Sequence, residues 1–465
     1  MQVSIGVLGQ WRIRYNPSFA DRVFLARRFV TAAAMDTVVI SALDQEGRGV
    51  ARVDGKAVFV EGALIGERVA IEIFRSKPNY ALARMTELFE SSHERVTPHC
   101  PHFGVCGGCS LQHLDPLAQV AVKQRVLEDA LWHIARLRPQ QLLAPIHGPA
   151  WGYRQRARLS VRYVPKKGGA LVGFHEKKSS FVADMTTCPV LPPRISALLP
   201  KLRSLVGALS IRDRLPQIEL AIGDGEAGEA LILRHLAPLT EDDEREVSAF
   251  AQRHGVHIYL QSSGPASIRP FCPQESTLSY ALPDFSVRFE FEPSDFTQVN
   301  GAINRVLVRR AISLLDPQPG DRIADFFCGL GNFTLPIARR GADVIGVEGS
   351  AALVRRAEIN AALNELTERA RFVADNLFEA TEESVARLGP LDKVLIDPPR
   401  EGAMELVKSL PPQISRIVYV SCNAATLARD AEVLVGTQGF ALRAAGIANM
   451  FPHTAHVESV ALFER

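Results

Sequence analysis

Two kinds of thiol chemistry are written into this chain. Cys422, within Ser421-Cys422-Asn423, follows an apolar run at 417–420 that reads as a strand. A thiolate at the end of a strand can act as a nucleophile when a proton-transfer partner stands beside it. That partner is sought in His453-Thr-Ala-His-Val-Glu458, where Glu458 heads the last strand-like segment. A second acid, Asp397, opens Asp397-Pro-Pro-Arg400 directly after the run 394–396. Its two prolines cannot continue a ladder, and they stiffen the loop that presents the carboxylate. The remaining thiols are grouped differently. Cys100, Cys106 and Cys109 cluster, and Cys188 adds a fourth donor. Four thiolates hold zinc or an iron–sulfur cluster, and spacing alone does not separate the two. Cys272 has no assigned role, and Cys328, inside a glycine-rich turn, reads as packing.

The elements that must position these residues follow from the pattern around them. Apolar strands at 322–327, 343–347, 370–374, 393–396 and 417–420 alternate with helical or loop stretches, and 456–463 closes the chain. Repeated βα units predict a parallel, doubly wound, Rossmann-like sheet, whose ligands bind beyond the carboxyl ends of the strands. The first of these strands runs into Phe327-Cys-Gly-Leu-Gly-Asn332, where Gly329 and Gly331 allow the backbone close to a ligand. Glu348, 19 residues past Gly329, ends the next strand and is placed to meet ribose hydroxyls. Taken alone, this turn is equally an ordinary tight βα connection.

Upstream, five short strands at 37–40, 49–53, 57–60, 67–73 and 81–88, separated by glycine turns, predict a small OB-like β-barrel. A helix is predicted over 117–137, ending near Pro139. Residues 151–180 carry eight Arg and Lys (Arg154, Arg156, Arg158, Arg162, Lys166, Lys167, Lys177, Lys178) against Glu176 alone, a local charge of +7. Tyr153, Tyr163, Phe174 and Phe181 are interleaved with them. A solvated sheet face is the plain reading, but alternating cations and aromatics also suit a surface that tracks phosphates and stacks bases.

The whole chain sets bounds on these readings. It has 465 residues, 47% apolar and 22% charged, with a net charge of only +2, so bulk charge names no partner. At roughly 150 residues per domain, about three domains are expected. No uninterrupted apolar run reaches the ~18 residues of a membrane span. The first 34 residues are Arg-rich and acid-poor, and a strand begins just after Met35, so residues 1–35 are set apart as an extension preceding an internal start. The expected division is then 36–95 as the barrel, 96–290 as an α+β central domain with the four-Cys site and the basic segment, and 291–465 as the catalytic α/β domain.

The ordered set Phe296-Thr-Gln-Val-Asn300, Asp325-Phe-Phe-Cys-Gly-Leu-Gly-Asn-Phe333, Asp397-Pro-Pro-Arg400, Ser421-Cys422-Asn423 and His453-Thr-Ala-His-Val-Glu458 resembles the RNA uracil-C5 methyltransferases, nearest the subgroup acting on 23S rRNA. The resemblance extends from 36 to 465, with 36–95 similar to a TRAM domain. It implies Cys422 as nucleophile toward C6 of uracil and Glu458 as the general base that removes the C5 proton. It implies S-adenosylmethionine contacts at Gln298, Phe327, Asn332, Glu348, Asn376 and Asp397. Asp375 is the alternative to Asn376, and Gln298 and Asp397 could equally face the uracil edge. Phe296 either stacks on a base or packs in the core. For Cys100, Cys106, Cys109 and Cys188 the resemblance favours a [4Fe–4S] cluster over zinc; His99, His102 and His113 beside them read as surface or supporting residues. The implied partner is 23S rRNA and the implied setting cytoplasmic. Methylation of another rRNA uridine or of a tRNA uridine, and an RNA-binding or remodelling protein with secondary methyl transfer, are the competing readings. A DNA cytosine methyltransferase is disfavoured because Ser421, not proline, precedes Cys422.

Overall fold

In a computed structural model, residues 36–224 and 228–465 are described; the extension 1–35 lies outside them. The chain divides into two compact units, Met1–Arg95 and Val96–Arg465.

Within the first unit, six strands form one sheet in the order Asp36–Val39, Arg68–Ser76, Tyr80–Glu90, Lys56–Glu61, Gly49–Val53, Ala42–Leu43. The two edges of this sheet belong to one continuous segment. Ile40 donates its N–H to Glu67 O, and the adjacent Ser41 donates to Val50 O, so the segment bonds to both sides and closes the sheet on itself. Closure removes exposed edges. Val38, Ile40, Val58, Val60, Val69 and Ile71 fill the interior. Glu67, fully buried, is neutralised by Arg95 at 2.5 Å and caps Leu64 N.

The second unit contains two large sheets. One has the order Ile268–Cys272, His257–Gln261, Glu229–Arg234, Gln217–Ile222, Arg156–Val164, Gly169–Gly173. Along Arg156–Val164, Ala157, Leu159 and Val161 point into the core while Arg158 and Arg162 are exposed. The alternation that predicted this strand thus separates its two faces.

The other sheet carries the strand-end motifs. Five parallel strands run in the order Ala370–Ala374, Asp343–Glu348, Arg322–Phe326, Lys393–Ile396, Arg416–Ser421. Glu458–Glu464 then pairs antiparallel to Arg416–Ser421, and Ala441–Ala448 antiparallel to Glu458–Glu464. The strand Ala441–Ala448 was not predicted: its sequence is alanine- and glycine-rich, with little β-branched character. The helix Pro116–Ala135 falls where it was expected, started by the Asp115 side chain and ended by Arg136 in the left-handed conformation. It packs on the catalytic sheet rather than on the basic one: Val120, Leu127 and Leu131 share a core with Phe326, Tyr419 and Leu427. Gln141–Leu142 also adds to this sheet, pairing with Ala441–Ala448.

Candidate active site

Register brings the expected nucleophile, Cys422, and the expected acid, Glu458, together. Ser421 pairs with Ser459 across the antiparallel ladder, so the next residue on one strand, Cys422, and the preceding one on the other, Glu458, are neighbours just beyond the last pair. On the other side, Ile396 pairs with Tyr419, which sets Asp397 at the same carboxyl end. Asn423 caps the helix Ala424–Gly436, its Oδ1 accepting the Ala425 N–H at 3.0 Å. Cys422 therefore lies at the start of a 13-residue helix, where the dipole favours a thiolate.

Burial opposes that ionisation. It pushes the Cys422 thiol up to about 11, with the Glu458 and Asp397 carboxylates adding to the rise and Arg400 working against it. Glu458 is 4% exposed, and burial together with Asp397 holds its carboxyl well above the ordinary range. Burial raises Asp397 to about 7. Asp325, 0% exposed, is raised to about 8 by burial, with the Asp397 and Glu348 charges adding to the rise. Its Oδ2 accepts Thr334 Oγ1 at 2.5 Å, while its Oδ1 is buried with no hydrogen-bond partner. Several carboxyl groups that discourage one another's ionisation, with one orphaned oxygen among them, suit a cationic ligand.

The glycine-rich turn fits the same ligand. Gly329 (φ +56) faces open space where a Cβ would be, and Gly331 (φ +94) takes the left-handed conformation. Phe327, not glycine, also has a positive φ of 64, a strained conformation of the kind that clusters at ligand sites. Its ring is half-buried, 5.7 Å from Phe378. Glu348 accepts from Gly329 N at 3.1 Å and Ser350 N at 3.0 Å, which holds the carboxylate at the turn. The residues present thus fit a cationic nucleoside such as S-adenosylmethionine.

Other expected contacts lie nearby in varied states. Asn332 is engaged on both amide atoms: Oδ1 accepts from Tyr280 Oη at 2.9 Å and Asn304 Nδ2 at 3.0 Å, and Nδ2 donates to Asn304 Oδ1. It braces the turn against the helix Gly301–Leu315. Asn376 is exposed and caps Phe378 N, while Asp375 is half-buried and bonds Asn376 N. Gln298 lines a small, partly open pocket with Gln155, Tyr280, Asn304 and Arg305. Phe296 is 69% exposed, so core packing is not its role. Cys328 is buried beneath the turn, as expected of a packing residue.

Sequence reading missed the brace behind Glu458. On the helix Pro116–Ala135, Gln119 and Lys123, four residues apart, are both buried. Gln119 accepts the His453 N–H at 2.8 Å, and Lys123 Nζ donates to Asn449 Oδ1 at 2.7 Å and Phe451 O at 2.8 Å. Burial lowers Lys123 to about 7. Tyr153 Oη donates to Pro452 O, Trp151 stacks on His453 at 3.8 Å, and Ser110 and Leu111 both donate to His453 O at 2.9 Å. The loop before Glu458 is thus tied directly to the segment that follows Cys109. The available sequence signal was two polar residues at i, i+4 beside an apolar helix face.

Cys100, Cys106, Cys109 and Cys188 line one small pocket. All seven cysteines are free thiols. Burial, with mutual repulsion, pushes Cys109 up to about 11, and burial, offset in part by backbone hydrogen bonds, pushes Cys188 to about 12. Among the described residues no set of three or more His, Cys, Asp or Glu side chains is arranged to hold a metal ion. The four thiols expected to hold a cluster thus share one pocket without the arrangement of a metal site. Of the histidines beside it, His113 is buried rather than on the surface, and His102 Nε2 accepts Thr186 N.

The basic segment is less free than its charge count implied. Arg156 donates to Pro293 O, Arg154 lies over Phe174 at 5.4 Å, and Arg158 pairs with Glu219. The outward cations of the strand are Arg158 and Arg162.

Comparisons with known proteins show the family and the fold. The tRNA (Uracil-5-)-methyltransferase family matches residues 119–465, and the TRAM domain matches 36–86. A protein of Aromatoleum aromaticum named 23S rRNA (uracil(1939)-C(5))-methyltransferase RlmD is 62% identical over 434 residues, covering 93% of this chain and 100% of that one. A protein of the same name from Bordetella parapertussis is 56% identical, over 92% of this chain and 93% of the relative. The solved Pyrococcus abyssi tRNA (uracil-54, C5)-methyltransferase, in complex with S-adenosyl-L-homocysteine, shares the fold with a TM-score of 0.70 at 24% identity, covering 92% of this chain and 100% of that one. A TRAM domain followed by a methyltransferase fold, with these motifs at these strand ends, makes the chain a member of the RNA uracil-C5 methyltransferase family.

Proposed function

We propose that this protein methylates C5 of a specific uridine in 23S rRNA, using S-adenosylmethionine. The observation that carries this reading is the placement of Cys422 beside Glu458 by the Ser421–Ser459 register, with Asp397 at the same strand ends. Uracil C5 is a poor nucleophile until C6 is attacked. Cys422 Sγ adds to C6, and the electron pair of the C5–C6 double bond moves toward C5 and the O4 enolate. S-adenosylmethionine, when bound, would supply the methyl group that C5 takes, its methyl–sulfonium bond breaking to leave neutral S-adenosylhomocysteine. Glu458 then accepts the C5 proton, the double bond re-forms, and Sγ leaves as thiolate. A buried carboxylate with a raised pKa suits that transfer. Asp397 and Glu348 would hold the cationic donor, with Phe327, Gln298 and Asn376 or Asp375 around it; Asn332 would act by bracing the turn. The uridine must leave its stack to reach Cys422.

The working division we propose is 36–95 as a TRAM barrel for RNA, 96–290 as a central α+β domain, and 291–465 as the methyltransferase domain. Cys100, Cys106, Cys109 and Cys188 would hold a [4Fe–4S] cluster, a reading supported by four free thiols around one cavity. Free thiols also suit a reducing, cytoplasmic setting.

The test uses 5-fluorouridine-substituted 23S rRNA and tRNA transcripts with methyl donor. Fluorine at C5 cannot leave as a proton, so the covalent adduct accumulates. An adduct on rRNA alone, mapped to Cys422, is expected. An adduct on tRNA would reassign the substrate, and no adduct from protein that binds the donor would overturn the mechanism.

A further inference from the structure

The helix that follows Cys422, with its cap Asn423, grips the loop that begins at Asp397-Pro-Pro-Arg400 at three residues: Arg400, Glu401 and Ala403. Asn423 Nδ2 donates to Arg400 O at 3.1 Å, Arg429 Nη2 donates to Glu401 O at 2.8 Å, and Asp430 Oδ2 accepts Ala403 N at 2.7 Å. Asp430 is fully buried, and its carboxylate also accepts Tyr419 Oη at 2.6 Å and Arg429 Nε at 2.8 Å. The loop approaches so closely that a Cβ on Gly402 (φ +79) would lie 2.6 Å from Arg429 Nη2 and 2.7 Å from Asp430 Oδ2. A buried carboxylate costs desolvation that an apolar side chain of similar size would not. Packing alone therefore gives no reason for an acid at 430; its contacts to the loop backbone do.

We infer that Asp430 and Arg429 are positioning residues that lock the 397–403 loop onto the nucleophile's helix and so hold the Arg400 guanidinium in place beside Cys422. Four ionisable groups face that thiol or its neighbour: Glu458 from the closing strand, Asp397 and Arg400 from the loop, and His456, whose Nδ1 lies 3.3 Å from Arg400 Nη2. Arg400 is the cation among them whose charge favours the thiolate. Its backbone is held by Asn423 next to the thiol, while Arg429 and Asp430 hold the two loop positions that decide where the chain turns after it.

The inference rests on Cys422 being the nucleophile, and its test is independent of turnover. The rate of Cys422 alkylation by iodoacetamide is followed against pH in the full-length protein without RNA, with peptide mapping to separate Cys422 from the other six thiols. Arg429→Gln and Asp430→Asn are expected to move the midpoint upward by about one pH unit, making Cys422 roughly tenfold less reactive below it. Arg400→Gln should move it at least as far. Tyr419→Phe removes one bond to the same carboxylate without touching the loop; it should lower the melting temperature and leave the midpoint alone. kcat should fall with the midpoint shift while KM for RNA and methyl donor hold. If Arg429→Gln and Asp430→Asn only lower the melting temperature, or if Tyr419→Phe shifts the midpoint equally, the pair is structural filling and the inference fails. It also fails if Arg400→Gln leaves the midpoint unmoved. Arg429 is 40% exposed, so its variant decides the matter should Asp430→Asn not fold. A Cys422→Ala protein that still transfers methyl groups would overturn the functional reading instead, leaving the link between loop and thiol standing.

Discussion

The thiol at 422 and the four thiols at 100, 106, 109 and 188 are buried to comparable effect, yet their surroundings differ in kind. Around Cys422 stand two carboxyls that oppose ionisation and one guanidinium that favours it, at the start of a helix. Around Cys109 the nearest acidic groups are other thiols, Cys106 and Cys100. A lone thiol among acids awaits a cationic ligand that makes it reactive. Four thiols that line one pocket discourage one another's ionisation, with no carboxylate among the charges that act on Cys109. The two sites are also mechanically joined, because the amides that follow Cys109 hold His453, five residues before Glu458.

Separating the two sites by mutation gives the largest effect. Cys422→Ala should abolish methyl transfer, assayed with labelled methyl donor, while leaving donor binding and the visible absorbance of an anaerobic preparation unchanged. Cys188→Ala should do the reverse in spectroscopic terms: absorbance is lost and the melting temperature falls, yet protein that remains folded still forms the fluorouridine adduct. A colourless preparation containing stoichiometric zinc would remove the iron–sulfur reading and keep the rest of the comparison.

Glu458→Gln should lower kcat by about 10²–10⁴-fold, the usual range for a lost general base. With the proton left on C5, the covalent complex with ordinary uridine should persist long enough to be seen by gel shift. Unchanged kcat would move the base elsewhere, with Asp397 the first candidate.

Reversing Arg158 and Arg162 together should weaken RNA binding and reduce the log–log salt slope by about 2. An unchanged slope would leave that face as solvated surface.

The acid cluster gives a pH signature. Burial pushes the Asp325 and Asp397 carboxyls up to about 8 and about 7, from an ordinary 3.8. A carboxyl raised by folding contributes stability below its unfolded pKa and loses it as pH rises through the folded one. The strain they impose therefore grows between about pH 4 and pH 8. S-adenosylmethionine, with its sulfonium charge, should stabilise the protein more than S-adenosylhomocysteine, by an extra ~2 °C at pH 8 and less at pH 6. Equal shifts at both pH values would place the cation away from these carboxyls.

The smallest effect belongs to the brace between the sites. Lys123→Met should lower kcat by roughly 3- to 10-fold with KM unchanged, because the loop before Glu458 loses its ties to Asn449 and Phe451. Its melting temperature should change little, since relief of the buried amine is offset by the two acceptors left unpaired at Asn449 and Phe451. A fall in stability with full kcat would make Lys123 a core residue only.

Much of this was legible in the chain because chemistry and periodicity are local. The alternation of apolar strands with helical stretches announced the parallel sheet, and motifs at strand ends announced which residues stand at its mouth. Cys422 and Asp397 were singled out this way, since the carboxyl ends of parallel strands converge whatever the rest of the fold does; Glu458, which heads an antiparallel strand, was singled out by its motif alone. Other features depended on partners distant in sequence. Nothing near Asn332 says that Asn304 and Tyr280 will take both ends of its amide. Nothing near Lys123 says that it will be buried against residues more than 300 positions away. Arg156 contributed to a charge count, yet its side chain turns to Pro293 O. The sequence by itself determined residue types, strand order in the chain and the identity of the strand ends, because backbone geometry repeats every two or 3.6 residues. Tertiary structure alone decided which polar atoms are spent on bracing, which cations remain outward, and that Ser421 meets Ser459, because those contacts are set by register and packing between segments that no local pattern relates.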